Sequence, residues 1–496
     1  MKIVRLEDFG KGLNLASGPL DPAYAIDALD VTYGRAIRTR PGFAALTALS
    51  RAYTHLHPFR TASGTKTLLA ARSGNTDAIN TSGAAAYTTA KTFVGATSFA
   101  APGAECAYLG NGSDTVFKFT GTAFSSPAGM PKAKYLCVQS PDNRLVATGF
   151  AAGANGPGGS TVTESTVHFS DELAPETWTA NSYVQLTPGD GEKIQGCVAW
   201  RDMVFVFKES KFFVFNGNTV DSAGLPRFNR REVNGAGLVA PKAIATAPEG
   251  VYFLAKDGIY LTNGGNPQQV LRQEMGPVFE NTAPPFFTSG VVTQSQIANA
   301  AATYHGGRLY VSLSMGGESF NNRTIVFDPP AGWWSVYSLA GPDLVEWSPG
   351  DKLELIVALP SDSMDLVRHH AGEIDDNGVP IPAFSRQAWV DLQSQVSLRE
   401  IHLWGNGRIT ASAAVDYDPD SGIGQTVSLG TPPDLWDGTT WGGGTWGPSE
   451  TNYNPANLRG FGARGKIFSI TFLGGGTIPL KLEQASCTFL GGRDQE

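Results

Sequence analysis

A strand–turn–strand unit recurs along this chain and constrains its fold more than any other feature. Each copy has two short runs of alternating apolar and polar residues around a polar, Gly-containing turn, as half-buried strands require. The clearest copies begin at Asn143, Trp200, Gly250 and Gly307. With weaker copies included, successive copies are spaced by roughly 40 to 55 residues, the length of a four-stranded propeller blade. We therefore predict an all-β fold with a β-propeller of about six or seven blades, which closes into a ring without exposed edges. An array of β-sandwiches is the structural alternative.

Composition agrees with short strands joined by turns. The 496 residues include 59 Gly and 31 Pro, and only 17% are charged. The net charge is -8, and the basic residues do not form the clusters that neutralise phosphates, so we expect no direct binding of nucleic acid. Lys2 and Arg5 precede no apolar run, and no run of about 18 apolar residues occurs, so we expect neither a signal peptide nor a membrane span.

The pattern of strands changes near Trp389, where the blade repeat stops and longer alternating runs begin. About 110 residues of such strands suit a β-sandwich domain. The predicted domains are an N-terminal arm with platform strands at 1–50, the β-propeller at 51–388, and a C-terminal β-sandwich at 389–496.

A Trp- and Gly-rich loop interrupts the C-terminal strands and carries Trp436, Trp441 and Trp446. These side chains have a large apolar area on a backbone too flexible to hold it unaided. We interpret them as anchors that pack against the sandwich or a neighbouring subunit. The alternative is a stacking platform for sugars, although such platforms usually sit on rigid strands.

Candidate catalytic groups are few. His369 and His370 precede Glu373 and the pair Asp375–Asp376, a mixed set that could bind a metal. Adjacent strand side chains point to opposite faces, however, and the run after Ile374 is a ready β-turn. His55 and His57 share one strand face without a neighbouring carboxylate, so we interpret them as packed or exposed.

Other motifs do not add chemistry. The four cysteines are far apart and form no C-x-x-C pair, and the Gly-rich stretch 149–159 has no Lys-Ser/Thr behind it and no helix after it. We predict no catalytic residue, no cofactor and no metal site, and hence not an enzyme. A glycosidase with carboxylates spread over several blades is the alternative, because sequence alone does not exclude the pairing of distant acids.

Short motifs in a fixed order along the chain resemble those of one protein family. They are Asp8–Asn14, Asp21–Val31, Arg38–Phe43, Gly307–Tyr310, Asp328–Val336, the Trp- and Gly-rich loop and Gly491–Arg493. In this order and spacing they are similar to the propeller-bearing nozzle, or tail tubular, proteins of short-tailed bacteriophages. The chain is shorter than the larger nozzle proteins, so fibre-docking domains could be missing, and a minor protein of a long tail is still possible.

The resemblance implies a structural component of the virion tail, synthesised in the host cytoplasm. It implies a homo-oligomeric, sixfold ring that extends the DNA ejection channel and docks adaptor proteins, other tail proteins or tail fibres, with DNA only passing through. The predicted interface residues are Phe9, Leu13, Pro41, Phe43, Trp436, Trp441 and Trp446. A receptor-binding or polysaccharide-degrading tail protein is the alternative. Host, tail type and copy number stay open.

Overall fold

The computed structural model describes residues 2–491 with gaps. The residues between these bounds that it does not describe are 7–10, 17–22, 35, 47–48, 50, 101–104, 141, 154–155, 157–160, 221–225, 285–286, 361–365, 370–372, 417, 430–455, 460, 462 and 475–480. The N-terminal strands are β1 (Lys2–Leu6), β2 (Ala25–Leu29), β3 (Val31–Thr32), β4 (Ile37–Thr39) and β5 (Phe43–Ala45).

Seven four-stranded antiparallel sheets follow in the described residues, and each is one propeller blade. Blades one to three comprise β6 (Tyr53–Arg60), β7 (Lys66–Arg72), β8 (Asn75–Asn80) and β9 (Ala85–Thr89); β10 (Gly95–Phe99), β11 (Cys106–Gly110), β12 (Phe117–Phe119) and β13 (Phe124–Ser125); β14 (Tyr135–Gln139), β15 (Arg144–Thr148), β16 (Thr166–Phe169) and β17 (Tyr183–Gln185). Blades four and five comprise β18 (Gly196–Trp200), β19 (Met203–Phe207), β20 (Lys211–Val220) and β21 (Pro226–Asn234); β22 (Ile244–Ala247), β23 (Gly250–Ala255), β24 (Gly258–Thr262) and β25 (Gln268–Gln269).

Two short helices separate blade five from blade six: α1 (Arg272–Phe279) and a 3₁₀ helix (Gln294–Asn299). Blade six comprises β26 (Ala301–His305), β27 (Arg308–Leu313), β28 (Arg323–Asp328) and β29 (Trp333–Tyr337). Blade seven has only three strands from its own stretch of chain, namely β30 (Asp343–Trp347), β31 (Glu354–Ala358) and β32 (Leu366–His369).

An N-terminal strand completes the ring. Strand β5 pairs with β32, with Ala44 opposite Arg368, and becomes the outermost strand of blade seven. Blade seven also packs against blade one, where Trp347 and Tyr53 share one apolar cluster. Pairing strands from distant parts of the chain locks the first and last blades together and removes an exposed edge.

The last strands form a second domain with the N-terminal ones. They are β33 (Phe384–Gln387), β34 (Val390–Val415), β35 (Asp418–Leu429), β36 (Ala456–Arg459), β37 (Arg464–Gly474) and β38 (Lys481–Gly491). With β1 to β4 they make one ten-stranded sheet in the described part of the chain. Val390 and Val415, at opposite ends of β34, both lie opposite Phe468 of β37, so the sheet curls until it is nearly closed.

The predicted fold class is confirmed: the chain is all-β, with a seven-bladed propeller followed by a β-domain. A sandwich has two separate sheets, whereas the described strands of that domain belong to one curled sheet. The strands that the structure describes within residues 1–50 pair inside the molecule, whereas the prediction was an arm with platform strands. In their described part, β1 to β4 pair inside the second domain and β5 pairs inside blade seven. Burial of their apolar residues explains this, since Leu13 and Val31 belong to the largest core cluster.

Candidate functional site

Parts of four of the motifs that carry the family resemblance, around Leu13, Asp30, Arg40 and Trp334, meet where blades six and seven contact the second domain. We call this place the junction, and it is formed by residues 12–14, 30–34, 36–43, 333–338 and 373–377. Leu13, which is fully buried, donates its backbone N–H to the carbonyl of Trp334 at 3.2 Å. Gly12 has φ of +71°, and a Cβ there would lie 2.7 Å from Cβ of Trp333. The backbone of this segment therefore lies directly on blade six.

A buried carboxylate forms the centre of the junction. Asp30 has φ of +57°, a conformation that Asp and Asn tolerate better than most residues. Its Oδ1 accepts the backbone N–H of Ser338 at 2.7 Å, and its Oδ2 accepts the hydroxyl of Ser338 at 2.6 Å. Its own N–H donates to the carbonyl of Val336 at 2.8 Å. Asp30 is fully buried, so the carboxylate is stabilised by these bonds and by a counter-charge.

Arg40 supplies that counter-charge. Its side chain is buried and donates from Nε to Asp30 at 2.6 Å. The two terminal nitrogens donate to both oxygens of Asp376 at 2.9 and 2.6 Å, a bidentate pair. Burial alone would lower the pKa of Arg40, but the bonds and charges of Asp376 and Asp30 outweigh burial and raise it. The guanidinium thus joins the N-terminal strands to the turn that follows blade seven.

The remaining interface candidates lie around this ion pair. Pro41 and Phe43 are half-buried. Between them, Gly42 donates its N–H to the carbonyl of Glu373 at 2.9 Å, and a Cβ at Gly42 would lie 1.9 Å from the oxygen of Asp375. Of the predicted interface residues, the structure brings Leu13, Pro41 and Phe43 together in contacts within the chain. The remaining four, Phe9, Trp436, Trp441 and Trp446, lie outside the described residues.

The predicted metal candidates take other roles. The turn predicted after Ile374 is present, with the N–H of Gly378 bonded to Oδ1 of Asp375 at 2.7 Å. His369 is buried, and its ring packs against Tyr310 and Tyr337. Within the described ranges, no group of three or more His, Cys, Asp or Glu side chains is placed to hold a metal ion.

A second candidate site lies on the propeller axis. The first strands of all seven blades, or the residues just before them, line a cavity of about 520 Å³. His55 and His57 both face it, and Nε2 of His57 lies 3.0 Å from the hydroxyl of Ser98 in blade two. Burial lowers the pKa of His57 to about 4 and, together with the charges of Lys242 and Lys134, that of His55 to about 3. Both imidazoles are therefore neutral near pH 7.

One buried carboxylate faces the same cavity. Asp343 accepts the backbone N–H of Leu56 at 2.7 Å and that of Leu344 at 2.9 Å. Burial raises its pKa to about 6, although Lys242 and these N–H groups act against the rise. The other carboxylate of the cavity, Glu346, lies 2.8 Å from Nδ1 of His305. Each acid is held by a separate partner.

Reasoning from sequence identified the junction motifs but missed the buried ion pairs. The Arg-Pro-Gly-Phe run was a visible signal for Arg40, whereas its two partners lie 10 and 336 residues away along the chain. Lys242 and Asp343 stand in no motif, and only ring closure brings them to the same cavity.

The solved structures to which this chain is similar include other β-propeller proteins. No protein-family model matches the chain, and the search of curated proteins found no match. Among solved structures, a streptogramin B lyase is 8% identical and covers 66% of this chain and 97% of its own, with a TM-score of 0.39. BBS1N in complex with ARL6DN is 12% identical with 67% and 98% coverage and a TM-score of 0.43. The Pan2 WD40 domain of Neurospora crassa is 9% identical with 68% and 97% coverage and a TM-score of 0.37. No function is transferred from similarities this low.

Among the described residues, no helix is both long enough and apolar enough to span a membrane.

Proposed function

We propose that this chain is a structural component of a bacteriophage tail, a nozzle-like ring subunit that extends the DNA ejection channel and docks neighbouring tail or fibre proteins. The observation that carries the proposal is the junction. The parts of the nozzle-like motifs that lie at the junction, around Leu13, Asp30, Arg40 and Trp334, join the propeller to the second domain, and none of their described contacts serves a catalytic group.

Two further observations support a structural role. The buried pair of Arg40 and Asp30 costs desolvation energy that is offset only in a fixed geometry, so it favours one orientation of the two domains. The net charge of -8 is compatible with a conduit past which DNA slides without sticking. The proposed assembly is a homo-oligomer, a hexamer in the virion tail, with adaptor and fibre proteins as partners.

The proposal is tested on purified virions of the phage that encodes the chain. Mass spectrometry should detect the chain among the virion proteins, and a cryo-electron microscopy map should show a closed ring of copies on the tail axis. The matched control is a virion preparation from a host in which translation of this gene is blocked, which should lack the ring. Absence of the chain from intact virions, or its presence only as a monomer on a side fibre, would refute the proposal.

A further inference from the structure

One end of the propeller axis carries an unusual set of charges. The loops before the first strands of several blades surround a cavity of about 530 Å³, which we call the axial mouth, and it adjoins the axial cavity at His55 and Lys242. Lys134 precedes blade three and Lys242 precedes blade five, and both face the mouth. No Asp or Glu lines it among the described residues. Two ammonium groups without a carboxylate are notable in a chain of net charge -8.

The ammonium groups of both lysines have room for a further hydrogen-bond acceptor. The ammonium of Lys242 donates to the carbonyls of Thr54, at 3.1 Å, and of Pro342, which leaves one of its three protons for another acceptor. Lys134 lies over the ring of Tyr135, with 5.1 Å between Nζ and the ring centroid. Within the described residues it forms no ion pair. Burial lowers the pKa of both ammonium groups, so an anion that binds in the mouth would stabilise the charged form of each.

His55 lies close enough to both ammonium groups to be affected by their charges. Burial is the main cause of its low pKa, but the charges of Lys242 and Lys134 contribute in the same direction. Both ammonium groups therefore act on one point of the mouth, and they act together. Asp343 lines the axial cavity and accepts hydrogen bonds from two backbone N–H groups. Its charge raises the pKa of Lys242 but does not cancel the lowering by burial.

An aromatic ring lies at the rim of the mouth. Phe320 lines it and is 47% exposed, which is unusual for so large an apolar side chain. The next residue, Asn321, is buried and donates its amide to the carbonyls of Asn299 and Gly341, each at 3.0 Å. The loop that presents Phe320 is thus anchored next to that residue, which fixes where the ring leaves the backbone.

We propose that the axial mouth binds an acidic saccharide, whose carboxylate lies between Lys134 and Lys242 and whose ring stacks on Phe320. The cavity has the size of small-ligand sites and is too small for a folded partner. Aromatic side chains stack on the apolar faces of sugar rings, and Asn299 and Ser319 offer polar groups for hydroxyls. Two lysines are too few for a nucleic-acid strand, which proteins bind through many phosphate contacts. The inference does not depend on the proposed tail function.

Isothermal titration of the full chain with trigalacturonic acid tests the site, with its neutral counterpart trigalactose and inorganic phosphate as comparison probes. We expect saturable binding of trigalacturonic acid that is about tenfold tighter than that of trigalactose and weakens as salt rises. Lys134→Gln and Phe320→Ala should each weaken it about tenfold or more, because each removes one of the three proposed contacts. The matched control is Lys256→Gln, an exposed lysine outside the mouth, which should bind like the wild type.

Other outcomes overturn the inference. Absence of saturable binding of trigalacturonic acid at millimolar concentration would do so, as would unchanged affinity in Lys134→Gln. Binding of phosphate that equals that of the saccharide would show a simple anion site instead. Lys242→Gln is a weaker test, because its bonds to Thr54 and Pro342 also join blades, so circular dichroism would have to show an intact fold first.

Discussion

Removing the guanidinium of Arg40 tests whether the junction depends on its ion pairs. In an Arg40→Met variant, the stem of the side chain keeps most of its packing while the charge disappears. Asp30 then stays buried with no opposite charge, at 2.6 Å from where Nε stood. Loss of one partner of a buried pair costs about 3 to 5 kcal/mol, because the remaining charge is uncompensated. We expect a loss of unfolding free energy in this range.

Asp30→Asn is the second substitution, and with Arg40→Met it completes a double-mutant cycle. Asn tolerates the positive φ of 57° at this position and still accepts the N–H of Ser338, so the substitution changes charge more than shape. Alone it should cost about 1.5 to 3 kcal/mol, the value of a hydrogen bond to a charged group. Combined with Arg40→Met it should cost clearly less than the sum, since no charge is then left unpaired at Asp30. The coupling should be at least about 1.5 kcal/mol.

Urea unfolding followed by tryptophan fluorescence measures these free energies. Trp333 and Trp334 are buried in blade six beside the junction and report on it directly. The control is Arg60→Met in β6, an exposed arginine whose loss should change stability by less than about 0.5 kcal/mol. A cost below about 1 kcal/mol for Arg40→Met, or additive effects of the two substitutions, would refute the idea that this pair holds the domains together.

Three further expectations follow from packing and protonation. Gly42→Ala should lose about 1 to 3 kcal/mol of stability in thermal unfolding, because its Cβ would lie 1.9 Å from the oxygen of Asp375, whereas Gly350→Ala, with open space around it, should be nearly neutral. His168 is fully buried and its pKa is lowered to about 4, so the unfolded chain binds its proton first and this residue alone should lower stability by about 3 kcal/mol as pH falls from 6.5 to 4. His55 and His57 act in the same direction, so His168→Gln should reduce the slope of urea-midpoint curves over that range without removing it, and an unchanged slope would contradict this. Deletion of residues 1–40 should leave an aggregating chain by gel filtration, because Leu13 and Val31 belong to the core; a soluble, folded propeller would contradict this.

The sequence by itself determined the class of fold. Strand periodicity and turn residues are local, so the runs 250–254 and 256–261 predicted a hairpin that the structure contains as β23 and β24. Their regular spacing predicted blades, because each hairpin has two apolar faces that only neighbouring blades can bury. The junction motifs were also visible in the sequence, although their chemical role was not.

Only the tertiary structure decided how the chain closes and where the charges meet. Strand β5 is three residues long and has no blade pattern of its own, so nothing local indicates that it completes blade seven. The pairing of Arg40 with Asp376 spans 336 residues, and Lys134 and Lys242 share a cavity because the ring brings the same end of every blade to one axis. Local preferences act over a few residues, whereas these contacts exist only once the ring has closed, and the free energy that selects them is that of burying strands, charges and apolar faces together.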